Sequence, residues 1–376
     1  MLFGLGGGKT AVGLDISSDT VKAVQLRQTR RGISLANLGM SKLSPSPIPD
    51  EVSEARTDLT AKAIKRVLGQ SKIRTKSVYT SVGGTSVVVR YIVLPYMTQK
   101  ELRGVIRFEA EGYIPFDVRQ VVLDCEILRE FVERGEKKIE VLLVAAKEEI
   151  IGQHMEIMKR ANLKPQSINV DTLAVEDSWE LSGSSGIKEE NEIIALIDIG
   201  ARVTNINIIE RKRSSFNRDV LVGGNDFTKS IAEELGLNFQ AAEALKEEQG
   251  RISMEGEAEA RAIEGDRTSR VNEAIGTIAT KLLGELDRSF AYYYAHTQIH
   301  KKTVNRVVLN GGSSRLPNLD RFLSNGLGIP VEINNPFKRI HIDTAGVDLK
   351  YISKVAPAFA VSAGLALRGL VGYEKA

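Results

Sequence analysis

The chain has 376 residues, of which 42% are hydrophobic and 26% charged, and its formal net charge is +3. A chain of this length is too long for one hydrophobic core, which predicts two or more domains. The small net charge favours neither a nucleic-acid nor a membrane partner. A single cysteine, Cys125, excludes an internal disulfide. Because the sequence has neither a secretory signal nor a long apolar run, we expect a soluble cytoplasmic protein without direct membrane insertion.

The first half of the chain alternates short strands and helices. Residues 12–14 and 21–26 predict a hairpin around a polar turn, and three prolines at 45–49 predict a loop. Thr98 and Glu101 have the spacing of a capping box, which predicts a helix towards Tyr113. Further strands are predicted at 78–82, 86–94, 121–128 and 139–145, and further helices at 59–68 and about 147–160.

The second half begins after a small, polar, glycine-rich stretch at 181–191, which predicts an interlobe linker or a surface loop. Residues 226–300 are predicted to be largely helical, with the dense charge at 243–270 forming a solvated face. Strands are predicted at 193–197, 203–209 and 304–309, and helices at 316–323 and 356–370, the last of them buried.

Residues 11–26 and 194–209 are similar to each other. Each segment is an apolar strand that ends in Asp-Ile, at Asp15 and Asp198, followed by a turn of small residues and a second strand. Such turns can point backbone N–H groups at an anion, and the aspartates are the hard oxygen ligands that Mg²⁺ prefers. The alternative is two ordinary turn aspartates. The matched pair favours two hairpins that grip one polyphosphate from both sides.

Two Gly-Gly pairs each follow a strand and precede a helix. At Gly311-Gly312 the missing side chains would let a flat ligand approach the backbone. Gly223-Gly224 repeats the same arrangement. Either pair alone is a weak signal, because such pairs are common in turns.

In this order the segments resemble the actin-like ATPases. The resemblance covers phosphate-1 (the Asp15 hairpin), connect-1 (169–172), phosphate-2 (the Asp198 hairpin), adenosine (311–312) and connect-2 (356–364). Within that superfamily the sequence is similar to the PilM family of type IV pilus proteins, relatives of the division protein FtsA. The specific segments are 94–95, Glu-Ala-Glu-Gly-Tyr-Ile-Pro-Phe-Asp at 109–117, 142–146, 164–165, and 223–224 followed by 242–246.

The resemblance implies an α/β, actin-like ATPase fold of two lobes, with an FtsA-like inserted subdomain in the first lobe. The implied first-lobe core (1A) is 1–77 and 161–190, and the implied insert (1C) is 78–160. The second-lobe core (2A) would be 191–225 and 301–376, and its helical subdomain (2B) 226–300.

The resemblance also implies ATP and Mg²⁺ as cofactors. Asp15 and Asp198 would hold the metal, and Asp171 and Asp198 would serve catalysis. Ser17 replaces a glycine usual in phosphate-1, and Asp171 is shorter than the glutamate of active relatives, so we expect at most slow hydrolysis. The residues expected to bind the nucleotide are Asp15, Ser17, Ser18, Lys22, Gly200, Thr204, Gly223, Gly224, Glu243, Lys246, Gly311, Gly312 and Arg315.

The implied function is a scaffold of the pilus machine that links the inner-membrane platform to the motor. Its implied partner is the cytoplasmic N-terminal peptide of PilN, with other pilus inner-membrane proteins and motor ATPases as further candidates and no nucleic acid. The protein would then lie peripherally at the inner membrane. The apolar residues 113–116 of the insert either border a peptide groove or pack the insert's own core. The alternative function is an FtsA- or MreB-like filament protein. A sugar kinase of the same superfamily would need a substrate-base aspartate in the cleft of the first lobe and a sugar pocket, and the sequence shows neither.

Overall fold

The computed structural model describes residues 9–44, 52–183, 192–210, 213–254, 266–296, 303–342 and 349–372. Most of the predicted linker, residues 184–191, therefore lies outside the described residues. The described chain forms three sheets with helices packed between and around them.

The first sheet contains the predicted amino-terminal hairpin at its centre. The first strand of this hairpin, Thr10–Ile16, is buried from Ala11 to Asp15, because helices cover the sheet on both faces. Sequence reasoning assigned no strand to residues 32–42, where Asn37 and Gly39 weaken the strand pattern. From edge to edge the strands are β14 (His341–Ile342), β3 (Gly32–Lys42), β2 (Thr20–Thr29), β1 (Thr10–Ile16), β4 (Ser77–Val82) and β8 (Lys164–Val170).

The helices on one face of this sheet are α1 (Glu54–Gln70) and α3 (Glu148–Arg160). Helix α1 packs over β2 and β3 and α3 packs beside β4. Ser53 caps α1 by accepting a hydrogen bond from the Arg56 N–H. The shared core holds Val12, Leu14, Ile64, Val67, Ile157 and Met158.

The second sheet carries the other half of the predicted repeat. Strands β9 (Ile193–Ile199) and β10 (Thr204–Glu210) pair antiparallel as the second hairpin, so this prediction is confirmed. Its core joins the sheet to the helices that follow it in sequence. The strand order is β11 (Arg213–Val220), β10 (Thr204–Glu210), β9 (Ile193–Ile199), β12 (Arg306–Asn310) and β13 (Val331–Ile333). The helices are α5 (Gly224–Leu235), α6 (Phe239–Gln249), α7 (Asp266–His296) and α8 (Leu319–Leu327).

Two helices, α4 (Asp171–Leu181) and α10 (Ala360–Val371), lie between the two large sheets. A β-carbon added to Gly13 on β1 would lie 2.0 Å from the Ser362 carbonyl oxygen, and one on Gly364 would lie 1.8 Å from the Ala174 carbonyl oxygen. Both glycines are therefore needed for the close approach of α10 to its neighbours. A short helix, α9 (Leu349–Val355), precedes α10.

Within the described residues, one helical stretch, Leu349–Val371, has the length and hydropathy of a membrane span. However, 78% of its most apolar window is buried inside the protein, as in the core helix of a globular domain. Its apolar residues are thus explained by packing between the sheets.

The third sheet follows β4 in sequence and has the order β5 (Val87–Pro95), β7 (Glu136–Lys147), β6 (Val121–Glu133). The predicted capping box of Thr98 and Glu101 is confirmed at the start of α2 (Gln99–Glu109), which packs on one face of this sheet. On the other face Val89, with Leu142 and Val144, packs against Val170 and Leu173 of the first lobe.

The subdomain boundaries given above stay a prediction, but some segments pack across them. Helix α3, placed with the insert, packs on α1, and α10 and β14, placed with the second lobe, contact the first sheet.

Candidate functional site

The two matched hairpin turns face each other across the cleft between the sheets. In the first turn the Ser17 N–H donates to the Thr20 carbonyl at 2.9 Å. In the second, the Gly200 N–H donates to the Val203 carbonyl at 3.0 Å. Asp19, in the first turn, joins them: its carboxylate accepts from Asn225 Nδ2 at 2.6 Å and lies 3.6 Å from Arg202 Nη2.

Asp15, Ser17 and Lys22 form one hydrogen-bonded cluster at the base of the first turn. Lys22 Nζ lies 2.8 Å from both Asp15 Oδ2 and Ser17 Oγ, and Ser17 Oγ donates to Asp15 Oδ1 at 2.9 Å. Asp15 is 3% exposed, so its charge depends on the Lys22 ammonium for compensation. Ser18 contributes its carbonyl oxygen, which accepts from Arg56 Nη2 at 3.3 Å.

The charge of Asp15 acts on two further carboxyl groups, those of Asp171 and Asp198. Burial and the charge of Asp15 raise the pKa of Asp171. Burial raises the pKa of Asp198 to about 6, although Lys22 opposes the shift. Because like charges in a buried cleft disfavour ionisation, a cation bound here would stabilise all three carboxylates. Among the described residues no three His, Cys, Asp or Glu side chains form a direct ligand set for a metal ion.

Two glycines make room for these acids. A β-carbon on Gly83 would lie 2.2 Å from Asp171 Oδ2, and one on Gly311, which has φ +87°, would lie 2.4 Å from Asp198 Oδ1. Any side chain at either position would displace a carboxylate. Gly83 lies between the predicted strands 78–82 and 86–94, and no sequence pattern marks it as part of the site.

The second Gly-Gly pair packs against protein. The Gly224 N–H donates to the Gly200 carbonyl at 2.9 Å, and the Asn225 N–H to the Ala201 carbonyl at 2.7 Å. A β-carbon on Gly223 would lie 2.7 Å from the Ala201 backbone. Gly223 and Gly224 thus let α5 approach the second hairpin turn closely, which fixes that turn.

Glu243 and Lys246, one turn apart on α6, form an ion pair of 2.6 Å. Lys246 Nζ also lies 3.0 Å from the Gly224 carbonyl oxygen and 2.7 Å from Thr228 Oγ1. Burial opposes ionisation of Glu243, but Lys246 and the Thr228 hydroxyl together lower its pKa. This pair therefore connects α6 to the start of α5.

The predicted adenosine segment lies beside the second turn. Ser313 Oγ donates to the Gly200 carbonyl at 3.2 Å, and Gly312 begins a short 3-10 helix, Gly312–Arg315, directly after Gly311. The Nε atom of Arg315 is buried without a hydrogen-bond partner in the described structure. A buried donor without a partner is costly and is suited to a ligand acceptor. Thr204 differs, because its buried hydroxyl donates to the Val222 carbonyl at 2.7 Å and supports the loop.

A cavity of about 690 Å³ opens at the mouth of the cleft. It lies between the end of β3, α1 and α6, and Lys42 Nζ approaches Glu247 Oε1 across it at 3.3 Å. Since Glu243 lines this cavity, it adjoins the predicted ribose pair. The lining residues are Lys42, Leu43, Ser44, Leu59, Arg66, Gln240, Glu243, Ala244 and Glu247.

Comparison with known proteins identifies the fold. A solved PilM-PilN type IV pilus biogenesis complex is 28% identical to this chain, covers 96% of it and 98% of that chain, and has a TM-score of 0.78. MreB5 of Spiroplasma citri bound to ADP is 12% identical, with 96% of each chain covered and a TM-score of 0.52. EutJ of Carboxydothermus hydrogenoformans is also 12% identical, with 97% of this chain and 90% of that chain covered and a TM-score of 0.53. The predicted actin-like ATPase fold is confirmed.

Among sequences, the cell division protein FtsA of Neisseria meningitidis serogroup B is 28% identical over 196 residues. That match spans 48% of this chain and 44% of the FtsA. The sequence model described as "type IV pilus assembly protein PilM" matches residues 13–370. Since that match takes in nearly the whole chain, including both hairpin turns and the insert, the protein belongs to the PilM family of type IV pilus assembly proteins.

Proposed function

We propose that this protein is an ATP-binding scaffold of the type IV pilus assembly machine. The observation that carries the nucleotide part is the convergence of Asp15, Asp171 and Asp198 between two matched turns. Solved structures with this fold include one with ADP. Polyphosphate bound between the turns would contact both lobes at once, so its presence would favour one relative position of the lobes.

The residues present fit Mg²⁺ and a nucleotide. Asp15 and Asp198 would hold the hydrated metal, which supplies charge neutralisation to the phosphates when bound. Lys22 and the backbone around Ser17, Ser18 and Gly200 would face the phosphates. Residues on the base side are Glu243 and Lys246 for the ribose and Gly311, Gly312 and Arg315 for adenosine.

Hydrolysis at this site would be slow at most. Lys22, Ser17 and Asp15 already satisfy one another, so the first turn holds phosphate less closely than a glycine turn would. Burial and the charge of Asp15 raise the pKa of Asp171, so its use as a water-orienting carboxylate would depend on the bound cation. The protein would therefore act chiefly through its bound state.

The partner in this proposal is the cytoplasmic N-terminal peptide of a PilN protein. Its support is the likeness to a solved PilM-PilN complex over 96% of the chain. The insert face that bears Leu142 and Val144 turns towards the first lobe, and Val122, which shares that face by its register with Ala146, is 45% exposed. The Gln99 side chain on α2 occupies part of the outer edge of β6, at the Cys125 carbonyl and the Ile127 N–H, so backbone pairing with an extended peptide would use the rest of that edge.

The predicted apolar segment 113–116 has a divided role. Ile114 is buried in the core between α2 and the insert sheet, and Phe116 packs against the same core. Tyr113 is 39% exposed, and Phe108 near it on α2 is 77% exposed. Ile114 and Phe116 therefore stabilise the insert, and the peptide groove is better assigned to the opposite face of the sheet.

The proposed location is the cytoplasmic side of the inner membrane, reached through the partner. Other inner-membrane pilus proteins and the motor ATPases are further proposed partners, and the protein would link that platform to the motor. The filament alternative rests on fold similarity to MreB5 at 12% identity and on the partial FtsA match.

Calorimetry with Mg²⁺·ATP tests the nucleotide site. We expect Asp15→Ala and Asp198→Ala each to weaken binding at least ten-fold, because each removes a carboxylate from the proposed metal site. Asp287→Ala, which removes an exposed acid of α7, is the matched control and should bind like the wild type. Unchanged binding in both cleft variants would contradict the assignment.

A further inference from the structure

His154 lies on α3 and is buried against the first sheet, with 5% of its surface exposed. Its Nε2 atom is 3.1 Å from Thr80 Oγ1, and Thr80 Oγ1 is in turn 2.9 Å from the Leu14 carbonyl oxygen. A carbonyl oxygen can only accept, so the Thr80 proton goes to Leu14. His154 must then donate its Nε2 proton to Thr80, and the ring is the neutral tautomer with the proton on Nε2.

The neutral state of the ring agrees with its surroundings, because burial lowers the pKa of His154 to about 4. The hydrogen-bond chain therefore has a fixed direction from α3 through β4 to β1. Apolar contacts of Ile157 and Met158 also hold α3 on the sheet, but such contacts are not directional. The hydrogen bonds fix which part of α3 faces which residue of β4.

The chain of hydrogen bonds ends next to the candidate nucleotide site. Leu14 and Thr80 are register partners in the parallel pair β1–β4, and the residue after Leu14 is Asp15. Three residues after Thr80, Gly83 touches Asp171. A shift of α3 would be passed on through the hydrogen bonds of His154 and Thr80. It would thus move the end of β1 that carries Asp15 and the end of β4 that leads to Gly83.

We propose that His154 is a positioning residue for the nucleotide site, through which α3 fixes the strand end that carries the metal-binding carboxylate Asp15. This inference rests on the proposed nucleotide function.

The test compares two substitutions at one position. His154→Gln keeps an N–H donor close to the place of Nε2, whereas His154→Leu fills the space without a donor. Affinity for ATP is measured by calorimetry with Mg²⁺ and again with EDTA, and thermal stability is measured in parallel. We expect the Leu variant to lose about ten-fold in the ratio of the two affinities, a typical coupling, and the Gln variant to stay within about two-fold.

Met158→Leu is the control, because it alters the packing of the same helix without touching the hydrogen bonds. A Leu variant at position 154 that loses stability but keeps the wild-type affinity ratio would show that His154 is only structural. If that variant does not fold, Thr80→Val and Thr80→Ser replace the pair: Val must lower the ratio and Ser must not, and any other result overturns the inference. A wild type that binds no ATP would instead refute the proposed function.

Discussion

Glu176, on α4, is a half-buried acid without a role in the nucleotide site. Burial raises its pKa to about 8, the charges of Asp177 and Glu180 add to the shift, and Arg368 opposes it. Arg368 is already engaged in an ion pair with Asp177, so it compensates Glu176 only in part. The carboxyl group is therefore protonated at neutral pH, beneath the insert and close to Tyr91.

This protonation predicts a pH dependence of stability. The folded protein keeps the Glu176 proton to about pH 8, whereas the unfolded chain releases it near the ordinary value of 4.5. The free energy of unfolding should thus fall as pH rises between these values, because the folded state binds more protons. Glu176→Gln should remove this loss and stabilise the protein by about 1–2 kcal/mol at pH 8.5, with little effect at pH 5.

Urea unfolding at a series of pH values measures that difference. Glu233→Gln, at an exposed position inside α5, is the control and should leave the pH profile unchanged. Equal effects of Glu176→Gln at pH 5 and pH 8.5 would show that the carboxyl group is ionised throughout this range.

At the scale of elements, α10 depends on glycine for its place between the sheets. Gly364→Ala would put a methyl group into the Ala174 backbone, and such overpacking typically costs about 1–3 kcal/mol. Gly276→Ala on α7 is the matched control, because a β-carbon there meets nothing within 4 Å. Alanine favours helix by about 0.5–1 kcal/mol, so thermal denaturation should show opposite shifts for the two variants.

These elements also show what sequence can and cannot predict. Asp15 and Asp198 lie in short hairpins, and both hairpins were predictable because their strands and turns are local in sequence. The contacts of Asp19 with Asn225 and of His154 with Thr80 join residues 206 and 74 positions apart, so no local pattern reveals them. Gly223-Gly224 has a local pattern that suggests a ligand, but its close neighbour is the Ala201 backbone.

For the molecule as a whole, the cleft has a hinge side and an open side. Helices α4 and α10 pack between both large sheets, and contacts of Asp19 with Arg202 and Asn225, together with Lys42 and Glu247, close the cleft elsewhere. These closing contacts are polar, and the exposed pair Lys42–Glu247 is of the kind that contributes little to stability. Under the proposed function, a nucleotide that bridges the turns would add to them.

The last prediction concerns recruitment to the membrane through the partner. Val122→Glu places a charge on the lobe-facing side of the insert, where the proposed peptide groove lies, and desolvating that charge would oppose binding of an apolar peptide. We expect the variant to leave membrane fractions and become soluble in cells that contain the pilus machinery, while the purified protein keeps its wild-type melting temperature.

The control is Val132→Glu, on the opposite face of the same strand. Val132 is 66% exposed and Val122 is 45% exposed, and the Val132→Glu variant should fractionate like the wild type. Deleting the partner's cytoplasmic tail should reproduce the Val122→Glu result. Binding of the purified wild type to bare anionic vesicles would contradict recruitment by a partner and favour direct membrane attachment.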